Sequence, residues 1–226
     1  MVDTLSERLL RLDACSVSDA MDKLGLAGCV TGLPPLTGPA KIAGRVHTVK
    51  LVRKEDAPAQ SGPPRHLGTT AIEAASPGEI IVVEQRTGLD AGSWGGILSN
   101  GARARGVAGV IADGPVRDVD EARQMNFPVF GRAPTARTAR NRLVELATDV
   151  PVTIGDVAVH PGDYVIADGS AAVFMRVADA ERVVAEAEMI FMREAAMTKD
   201  IAMGKPITQV MGANYEHMLK AGSDKS

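Results

Sequence analysis

The stretch "GVAGVIADGPVRDVDEARQMNFPVF", residues 106–130, places a strand, a charged loop, a helix and a second strand in direct succession. The apolar run at residues 107–113 predicts a buried strand, and residues 119–125 have the spacing of a short helix. Pro128 indicates that the following strand, residues 127–132, lies at a sheet edge or begins there. Arg117 and Asp118 stand where the first strand leaves the interior, so burial of that strand brings two opposite charges to its end.

The same alternation of helix and strand precedes this stretch. Residues 69–78, "TTAIEAASPG", predict a helix that Pro77 and Gly78 stop, and residues 79–85, "EIIVVEQ", predict a buried strand. Residues 45–53 predict an earlier strand, and residues 94–106 predict a helix that begins at a glycine pair. In residues 149–175, short alternating runs between turn residues predict several antiparallel strands. The sequence thus predicts a mixed α/β domain with two sheet layers rather than a doubly wound sheet.

The two ends of the chain have helical patterns. Residues 4–12 carry leucines at helical spacing, and residues 16–25, "SVSDAMDKLG", predict a second helix that Ser16 or Ser18 caps and Gly25 ends. From Asp179 onward the pattern is helical again and long enough to reach beyond its own core. We therefore expect one α/β domain at residues 1–178 and a C-terminal helical extension, residues 179–226, at a subunit interface.

Composition excludes several classes of function. The 226 residues are 45% hydrophobic, which is typical of a globular protein, and the formal net charge is −3. Because Lys and Arg are scattered, we expect no nucleic-acid partner. The sequence shows neither a membrane span nor a signal peptide, so we expect no membrane association and a cytoplasmic location. Cys15 and Cys29 fit neither a disulfide framework nor a zinc site, and we expect both to be buried or half-buried thiols.

The glycine loop "GSWGGILSNG", residues 92–101, lies between a predicted strand and a predicted helix. Its spacing differs from the GxGxxG dinucleotide fingerprint, and no P-loop lysine and serine follow it, so we expect no nucleotide cofactor. A helix that begins at this loop presents the free backbone N–H groups of Gly96, Ile97 and Leu98, which form an anion site with the helix dipole behind them.

The Arg-Asp pair follows the next strand along the chain. The planar guanidinium of Arg117 suits bidentate capture of a carboxylate, and Asp118 offers hard oxygen ligands for Mg²⁺ or Mn²⁺. Loops at the carboxyl ends of neighbouring strands converge, so the pair and the glycine loop can meet around a 2-oxo acid and stabilise a pyruvate enolate. From residue types alone an alternative stays open, in which Asp118 caps the next helix in a solvated turn and the glycines only permit tight packing.

The run "WGGILSNGARARGVAGVIADGPVRDVDEARQMNFPVF", residues 94–130, closely resembles the RraA-like family. That family includes the divalent-metal-dependent 4-hydroxy-4-methyl-2-oxoglutarate aldolases, which also decarboxylate oxaloacetate. Its pattern is a Gly or Asp, twenty residues, Arg-Asp, two residues and an acid, found here as Gly96, Arg117, Asp118 and Glu121. The resemblance implies a swivelling β/β/α-type fold, assembled as a homotrimer or homohexamer with active sites at subunit interfaces.

The resemblance also implies roles for individual residues. Arg117 holds the pyruvyl carboxylate region and stabilises the enolate, while Asp118 is the direct protein ligand of a Mg²⁺ or Mn²⁺ ion. Glu194 of a neighbouring chain is the nearest match to an acid that contacts the metal through water, and a solvated helix face is its alternative role. The substrate-binding residues that the resemblance implies are Gly95, Gly96, Ile97, Leu98 and Arg117.

One position departs from the aldolases. They resemble "GDLL" where this chain has "GGIL", so Gly96 replaces an Asp that serves the acid–base step. Decarboxylation of oxaloacetate needs an enolate sink but no general base, and the resemblance therefore favours it over aldol cleavage. Another substrate, or another base such as His66, can fill this gap, and a plain surface position is the alternative for His66. Trp94 is expected in the core or in the pocket wall.

Two classes of function follow. The first is a carbon–carbon lyase that acts on a small 2-oxo acid. The second is a binding module, because the family also resembles a protein regulator of ribonuclease E activity, which works by contact with a partner. Arg117 and Asp118 together favour the enzyme, since a regulator has no need of a metal ligand beside a carboxylate-binding guanidinium.

Overall fold

The computed structural model describes residues 3–38, 40–58 and 66–212. Within these ranges the chain forms a mixed α/β domain, which confirms the predicted fold class. Its helices are α1 (Thr4–Leu9), α2 (Ala14–Lys23), α3 (Thr69–Ala74), α4 (Gly96–Ala104), α5 (Val119–Gln124), α6 (Val177–Ala202) and α7 (Ile207–Val210). Its strands are β1 (Cys29–Val30), β2 (Ile42–Arg53), β3 (Ile80–Glu84), β4 (Gly109–Val116), β5 (Val129–Pro134), β6 (Leu143–Thr148), β7 (Val152–Ile154), β8 (Val157–Val159), β9 (Tyr164–Ala167) and β10 (Ala172–Met175).

Strand β2 joins the two halves of the main sheet. Its first residues, 42–45, pair antiparallel with β9, whereas residues 46–50 pair parallel with β3. The parallel half continues through β4 to β5, and the antiparallel half continues through β10 to β1. Strand β6 pairs antiparallel with the end of β2, and β7 and β8 form a separate hairpin. Strand β5 lies at the end of this order, in agreement with the edge position that Pro128 predicts.

Both faces of the parallel half are buried, which explains its continuous apolar runs. Ile80 and Val82 of β3 face an inner cluster that also contains Val165 of β9, while Ile81 points to the opposite face, toward α3 and α4. Because side chains alternate along a strand, burial on both faces needs an apolar residue at every position. The inner cluster lies between the two halves of the sheet, as expected for two sheet layers.

Helices α1, α2 and α6 cover the outer face of β9 and β10. Five residues of α6 are buried, the last of them Ile190, and beyond this point the helix leaves the core. Met192 is 64% exposed, so the distal half of α6 presents apolar surface to its surroundings. The helix begins at Val177, and the division of the chain at residues 178 and 179 stays a prediction. Helix α6 has 26 residues, yet no helix of the described ranges is long and apolar enough to cross a membrane.

Helix α2 begins earlier than predicted. Asp13, not Ser16 or Ser18, is its N-cap, and the Asp13 Oδ1 atom accepts a hydrogen bond from the Ser16 N–H at 2.7 Å. Ser16 already lies in the first turn, so its hydroxyl donates to Asp13 instead of capping. The predicted end is confirmed, since Gly25 follows Leu24 with a φ of 68°, a left-handed conformation that favours glycine.

Other predictions need correction. Cys15 and Cys29 are both exposed, because Cys15 lies on the outer face of α2 and Cys29 on the outward side of the short strand β1. Strand β6 was not predicted, although it pairs with β2. The helical C-terminal pattern contains a break, since α6 ends at Ala202 before Gly204, which has a φ of 91°, and α7 follows. The pattern beyond residue 212 lies outside the described residues.

Gly44 allows a close approach between β2 and the turn that precedes β3. A Cβ atom at this position would lie 2.4 Å from the backbone oxygen of Gly78, so Gly44→Ala must displace backbone. We expect it to lower the free energy of unfolding by about 2 kcal/mol, as for an overpacked core position. Gly169→Ala is the matched control, because a Cβ there meets nothing within 4 Å. Urea unfolding followed by circular dichroism checks the difference, and equal midpoints for both variants would contradict the close approach.

Candidate functional site

The glycine loop and the Arg-Asp loop meet at the end of β4. The backbone N–H of Arg117 donates to the Trp94 carbonyl oxygen at 2.9 Å, and the Ser93 N–H donates to the Pro115 oxygen at 2.8 Å. Trp94 also pairs with Val116 as an isolated parallel bridge. The structure therefore brings together the two loops that the sequence suggested, side by side and in a fixed register.

Asp118 links the loops through its side chain. Its Oδ2 atom accepts a hydrogen bond from the backbone N–H of Gly96 at 2.9 Å, across 22 positions of sequence. Asp118 occupies the N-cap position of α5, but its side chain makes no capping hydrogen bond, so the alternative in which that side chain caps the helix is wrong. Its φ of 56° is left-handed, a conformation that costs a residue with a Cβ of order 1 kcal/mol and that persists at functional sites.

Glycines allow this approach. A Cβ atom on Gly95 would lie 2.9 Å from the Asp118 Oδ2 atom, and a Cβ atom on Gly92 would lie 2.4 Å from Cγ of Arg117. Gly92 therefore makes room for the stem of the guanidinium. Sequence reasoning gave Gly92 no role of its own, although it lies in the same glycine loop, three positions before Gly95. These glycines pack against the charged pair itself, which goes beyond ordinary helix–strand packing.

Arg117 has an unsatisfied donor. Its Nε atom is buried and has no hydrogen-bond partner among the described residues. A buried donor without an acceptor costs about 1–3 kcal/mol, so native structures rarely keep one without a functional reason. The donor set of a guanidinium matches a carboxylate. Arg117 is therefore suited to bind an anionic ligand.

Helix α4 adds backbone donors beside Arg117. The Gly96 N–H is already used by Asp118, which corrects the prediction that three amides are free. In the described part of the chain, the N–H groups of Ile97 and Leu98 make no hydrogen bond, because they belong to the first turn. Two amides at a helix N-terminus form a site for an anion such as a carboxylate.

The carboxylate of Glu121 occupies the space beside Gly96. A Cβ atom at position 96 would lie 2.0 Å from Oε2 of Glu121, and Oε1 of Glu121 accepts a hydrogen bond from Nδ2 of Asn100 at 2.8 Å. A side chain at position 96 would therefore require the Glu121 carboxylate to move. The resemblance supplied Glu121 as part of a pattern, but only the structure shows that its carboxylate fills the volume of the missing side chain.

The donor set suits a hard cation with a mainly non-protein shell. Across the described ranges, no three His, Cys, Asp or Glu side chains are grouped so that they could hold a metal ion by themselves. Asp118 and Glu121 lie on either side of Gly96 and offer oxygen atoms only. Mg²⁺ is commonly held by one or two carboxylates and keeps several waters, whereas zinc sites use nitrogen and sulfur ligands. The residues thus fit Mg²⁺ or Mn²⁺.

Glu194 lies elsewhere in the chain. It is on the distal half of α6, where burial, together with the negative charges of Asp13 and Asp19, raises its pKa. It does not line the cavities that contain Arg117 and Asp118 in the same chain. A role at the site would require Glu194 to come from a neighbouring chain, as the resemblance implies.

A cavity of about 670 Å³ opens over the linked loops. Arg117, Asp118 and residues 95–98 form one end, and His66 lines the same cavity. Trp94 belongs to the core, since it is 2% exposed and its Nε1 donates to Ser99 Oγ at 3.0 Å. It also forms part of the cavity wall. A second, more open cavity of about 510 Å³ lies on the other side of Arg117 and Asp118 and includes Glu121.

Known proteins are similar to this chain in sequence and in fold. A protein named DlpA from Legionella pneumophila is 26% identical over 91% of this chain, but the chain spans only 33% of its length. A protein named "Putative 4-hydroxy-4-methyl-2-oxoglutarate aldolase" from Halalkalibacterium halodurans is 27% identical over 67% of each chain. The structure of Streptomyces coelicolor RraAS2, described as an unusual member of the RNase ES inhibitor RraA family, superposes with a TM-score of 0.75. It is 25% identical, and the match covers 90% of this chain and 98% of RraAS2.

The chain also matches the model of a whole family. The profile of the RraA-like family, described as Aldolase/RraA, matches residues 14–174. This range contains both loops and all of the strands that position them. Since it covers well over half of the chain, this protein belongs to the RraA-like family.

Proposed function

We propose that this protein is a divalent-metal-dependent carbon–carbon lyase that cleaves a small 2-oxo acid through a pyruvate enolate. The observation that carries the proposal is the buried Arg117 Nε, which has no partner in the described chain and lies beside the free amides of α4. Oxaloacetate decarboxylation and cleavage of 4-hydroxy-4-methyl-2-oxoglutarate are the two candidate reactions. Both break the C3–C4 bond of an acid that contains a pyruvyl unit.

The substrate carboxylate is placed by backbone and side-chain donors. The N–H groups of Ile97 and Leu98 bind it at the positive end of α4, and Arg117 neutralises its charge. Because Gly92 and the Trp94 carbonyl hold Arg117 in position, little reorganisation accompanies the reaction. Preorganised donors of this kind act where charge develops in the transition state.

Asp118 would hold a Mg²⁺ or Mn²⁺ ion, with Glu121 as the nearest second carboxylate. When bound, such an ion supplies a Lewis acid that draws electron density toward the 2-oxo group. The hydrogen bond from Gly96 occupies one oxygen of Asp118 and fixes the direction of the other.

The bond-breaking step requires an electron sink. In oxaloacetate the C4 carboxylate leaves as carbon dioxide, and the electron pair of the C3–C4 bond moves into the pyruvyl unit as an enolate. Arg117 stabilises this negative charge, and protonation at C3 then gives pyruvate. No base is needed, so the absence of a side chain at Gly96 does not hinder decarboxylation.

Aldol cleavage needs one group more. The C4 hydroxyl must lose its proton as the C3–C4 bond breaks, so a base must stand near C4. Glu121 is our first candidate, since its carboxylate occupies the space in which a side chain at position 96 would lie. His66 is the second, because it lines the same cavity as Arg117.

A non-catalytic regulator of ribonuclease E activity is the second candidate function. The likeness to RraAS2 over 90% of this chain favours it, as do the exposed apolar residues on the distal half of α6. Such a role would leave the buried donor of Arg117 unexplained. The lyase accounts for that donor, for the link between Asp118 and Gly96, and for the cavity above them.

We also propose that the protein assembles as a homotrimer or homohexamer. The distal half of α6 exposes Phe191, Met192 and Ile201, an apolar surface that a soluble single chain rarely leaves uncovered. Glu194 lies on the same segment and is half-buried already. Assembly through this segment would bring Glu194 toward the site of another chain.

Removal of the charge of Asp118 or of Arg117 should strongly lower turnover. We expect Asp118→Asn and Arg117→Ala to lower kcat/KM by about a hundredfold or more, because each removes a preorganised electrostatic contact. The measurement is pyruvate release from oxaloacetate and from 4-hydroxy-4-methyl-2-oxoglutarate with Mg²⁺, with Mn²⁺ and with chelator. Arg123→Gln, an exposed position on α5 that pairs with Asp120, is the matched control. Undiminished turnover in the Asp118 variant would contradict the assignment of Asp118 as the residue that holds the metal ion.

Glu121→Gln should separate the two reactions. If Glu121 accepts the C4 hydroxyl proton, the variant loses aldol cleavage by about a hundredfold, while decarboxylation falls much less. Rates for both substrates, with Asp120→Asn on the same helix as control, provide the comparison. Equal losses for the two substrates would contradict a role as base.

The molecular mass of the protein in solution tests the proposed assembly. We expect light scattering on the eluting protein to give three or six times the 23.7 kDa of one chain. Met192→Asp should shift the protein toward smaller species, because a charge on an apolar interface must be desolvated. A wild-type protein that elutes as a single chain would contradict the proposal.

A further inference from the structure

The cavity over Arg117 extends well beyond the space that a pyruvyl unit needs. Its volume of about 670 Å³ lies in the range of pockets that enclose drug-sized ligands. Arg117 and the amides of α4 occupy one end. The other end is formed by Lys54, on the turn after β2, and by residues 138–141, in the connection between β5 and β6. A short 2-oxo acid bound at the first end would leave the second end unused.

The far end of the cavity carries two cationic side chains, Lys54 and Arg140. Lys54 donates from Nζ to the Asn141 Oδ1 atom at 3.2 Å, and within the described ranges neither Lys54 nor Arg140 pairs with a carboxylate. Asp118, at the near end, is the one acidic residue among those that line the cavity. The whole chain has a net charge of −3, so the positive charge at this end of the cavity is a local feature. A local group of cations favours the binding of an anionic group.

The segments that carry the two cations are tied together. The Lys54 backbone N–H donates to the Arg142 carbonyl oxygen at 2.9 Å, and Arg140 is two residues before Arg142. Both cations therefore stand on a connected part of the wall. The two side chains can therefore reach one ligand from neighbouring segments of the wall.

The wall between the two ends is apolar. Ile97, the second residue of α4, lines the cavity and is 85% exposed. Leu67 and Leu143 line the same cavity. Exposure of so large an apolar side chain has a cost in water, which a ligand with an apolar middle would remove. The sequence of surfaces along the cavity is therefore an anion site, an apolar wall and a second anion site.

We propose that the preferred substrate is an extended 2-oxo acid with an apolar middle and a second anionic group at its far end, which Lys54 and Arg140 bind. The inference rests on the proposed function for the placement of the pyruvyl end. It makes Lys54 and Arg140 determinants of specificity. Carboxylate and phosphate share the required chemistry, and ligands of both kinds distinguish them.

Binding of ligands that cannot be cleaved tests this directly. Calorimetry with Mg²⁺ present would compare 2-oxoheptanedioate, the uncharged-end analogue 2-oxoheptanoate, and a 2-oxo acid of the same length that ends in phosphate. We expect a charged end to strengthen binding by about tenfold or more, as for one charge-assisted contact. The double variant with Lys54→Gln and Arg140→Gln should lose this preference, and the tighter of the two charged ligands identifies the distal group.

Arg137→Gln is the matched control, because Arg137 lies on the same connection but pairs with Asp90 outside the cavity. Equal binding of the charged and uncharged ligands, or a preference that survives the double variant, would overturn the proposal. Pyruvate release from oxaloacetate by the wild-type protein tests the lyase separately. Since calorimetry needs no turnover, a failure of the lyase and a failure of the distal subsite give different results.

Discussion

The hydrogen bond between Asp118 Oδ2 and the Gly96 N–H is the contact on which the candidate site depends. It joins two loops that follow different strands, and it holds Asp118 in a left-handed conformation. The bond also removes Gly96 from the free donors of α4, so the amides of Ile97 and Leu98 are those that remain. One interaction thus sets the direction of a carboxylate, the place of a helix N-terminus and the position of the neighbouring Arg117.

The fold makes this contact possible through its parallel half. Strands β3 and β4 run side by side in register from Ile80 and Gly109, so the loops after them leave the sheet at the same edge. Burial on both faces of these strands fixes that register, because a shift of one residue would exchange the two buried faces. The antiparallel half and helices α1, α2 and α6 contribute a second layer, which supports β2 without contributing to the cavity wall around Arg117.

Local patterns in the sequence were enough for most of the fold and for part of the site. Alternation and β-branched runs predicted β3 and β4, and the glycine pair predicted the start of α4, because these signals are local. The cap of α2 was misplaced since Asp13 and Ser16 are both good caps, and only packing selects between them. The couplings between Gly92 and Arg117, and between Gly96 and Glu121, connect distant segments, and no single sequence displays them. Lys54 and Arg140 were missed for the same reason.

Position 96 shows how a change at one residue can be offset at another. A Cβ atom at this position would lie 2.0 Å from the Glu121 Oε2 atom, so an Asp would require the flexible Glu121 side chain to turn away. With glycine, the carboxylate arrives from α5 on a longer side chain and is held by Asn100. Glu121 thus supplies a carboxylate beside Gly96 in this chain, whereas the aldolases have an Asp at position 96 in addition to the acid at position 121. The Asp that serves the acid–base step of aldol cleavage is absent, whereas decarboxylation needs no base. The geometry at position 96 therefore bears on which reaction the site performs more than on whether it binds a 2-oxo acid.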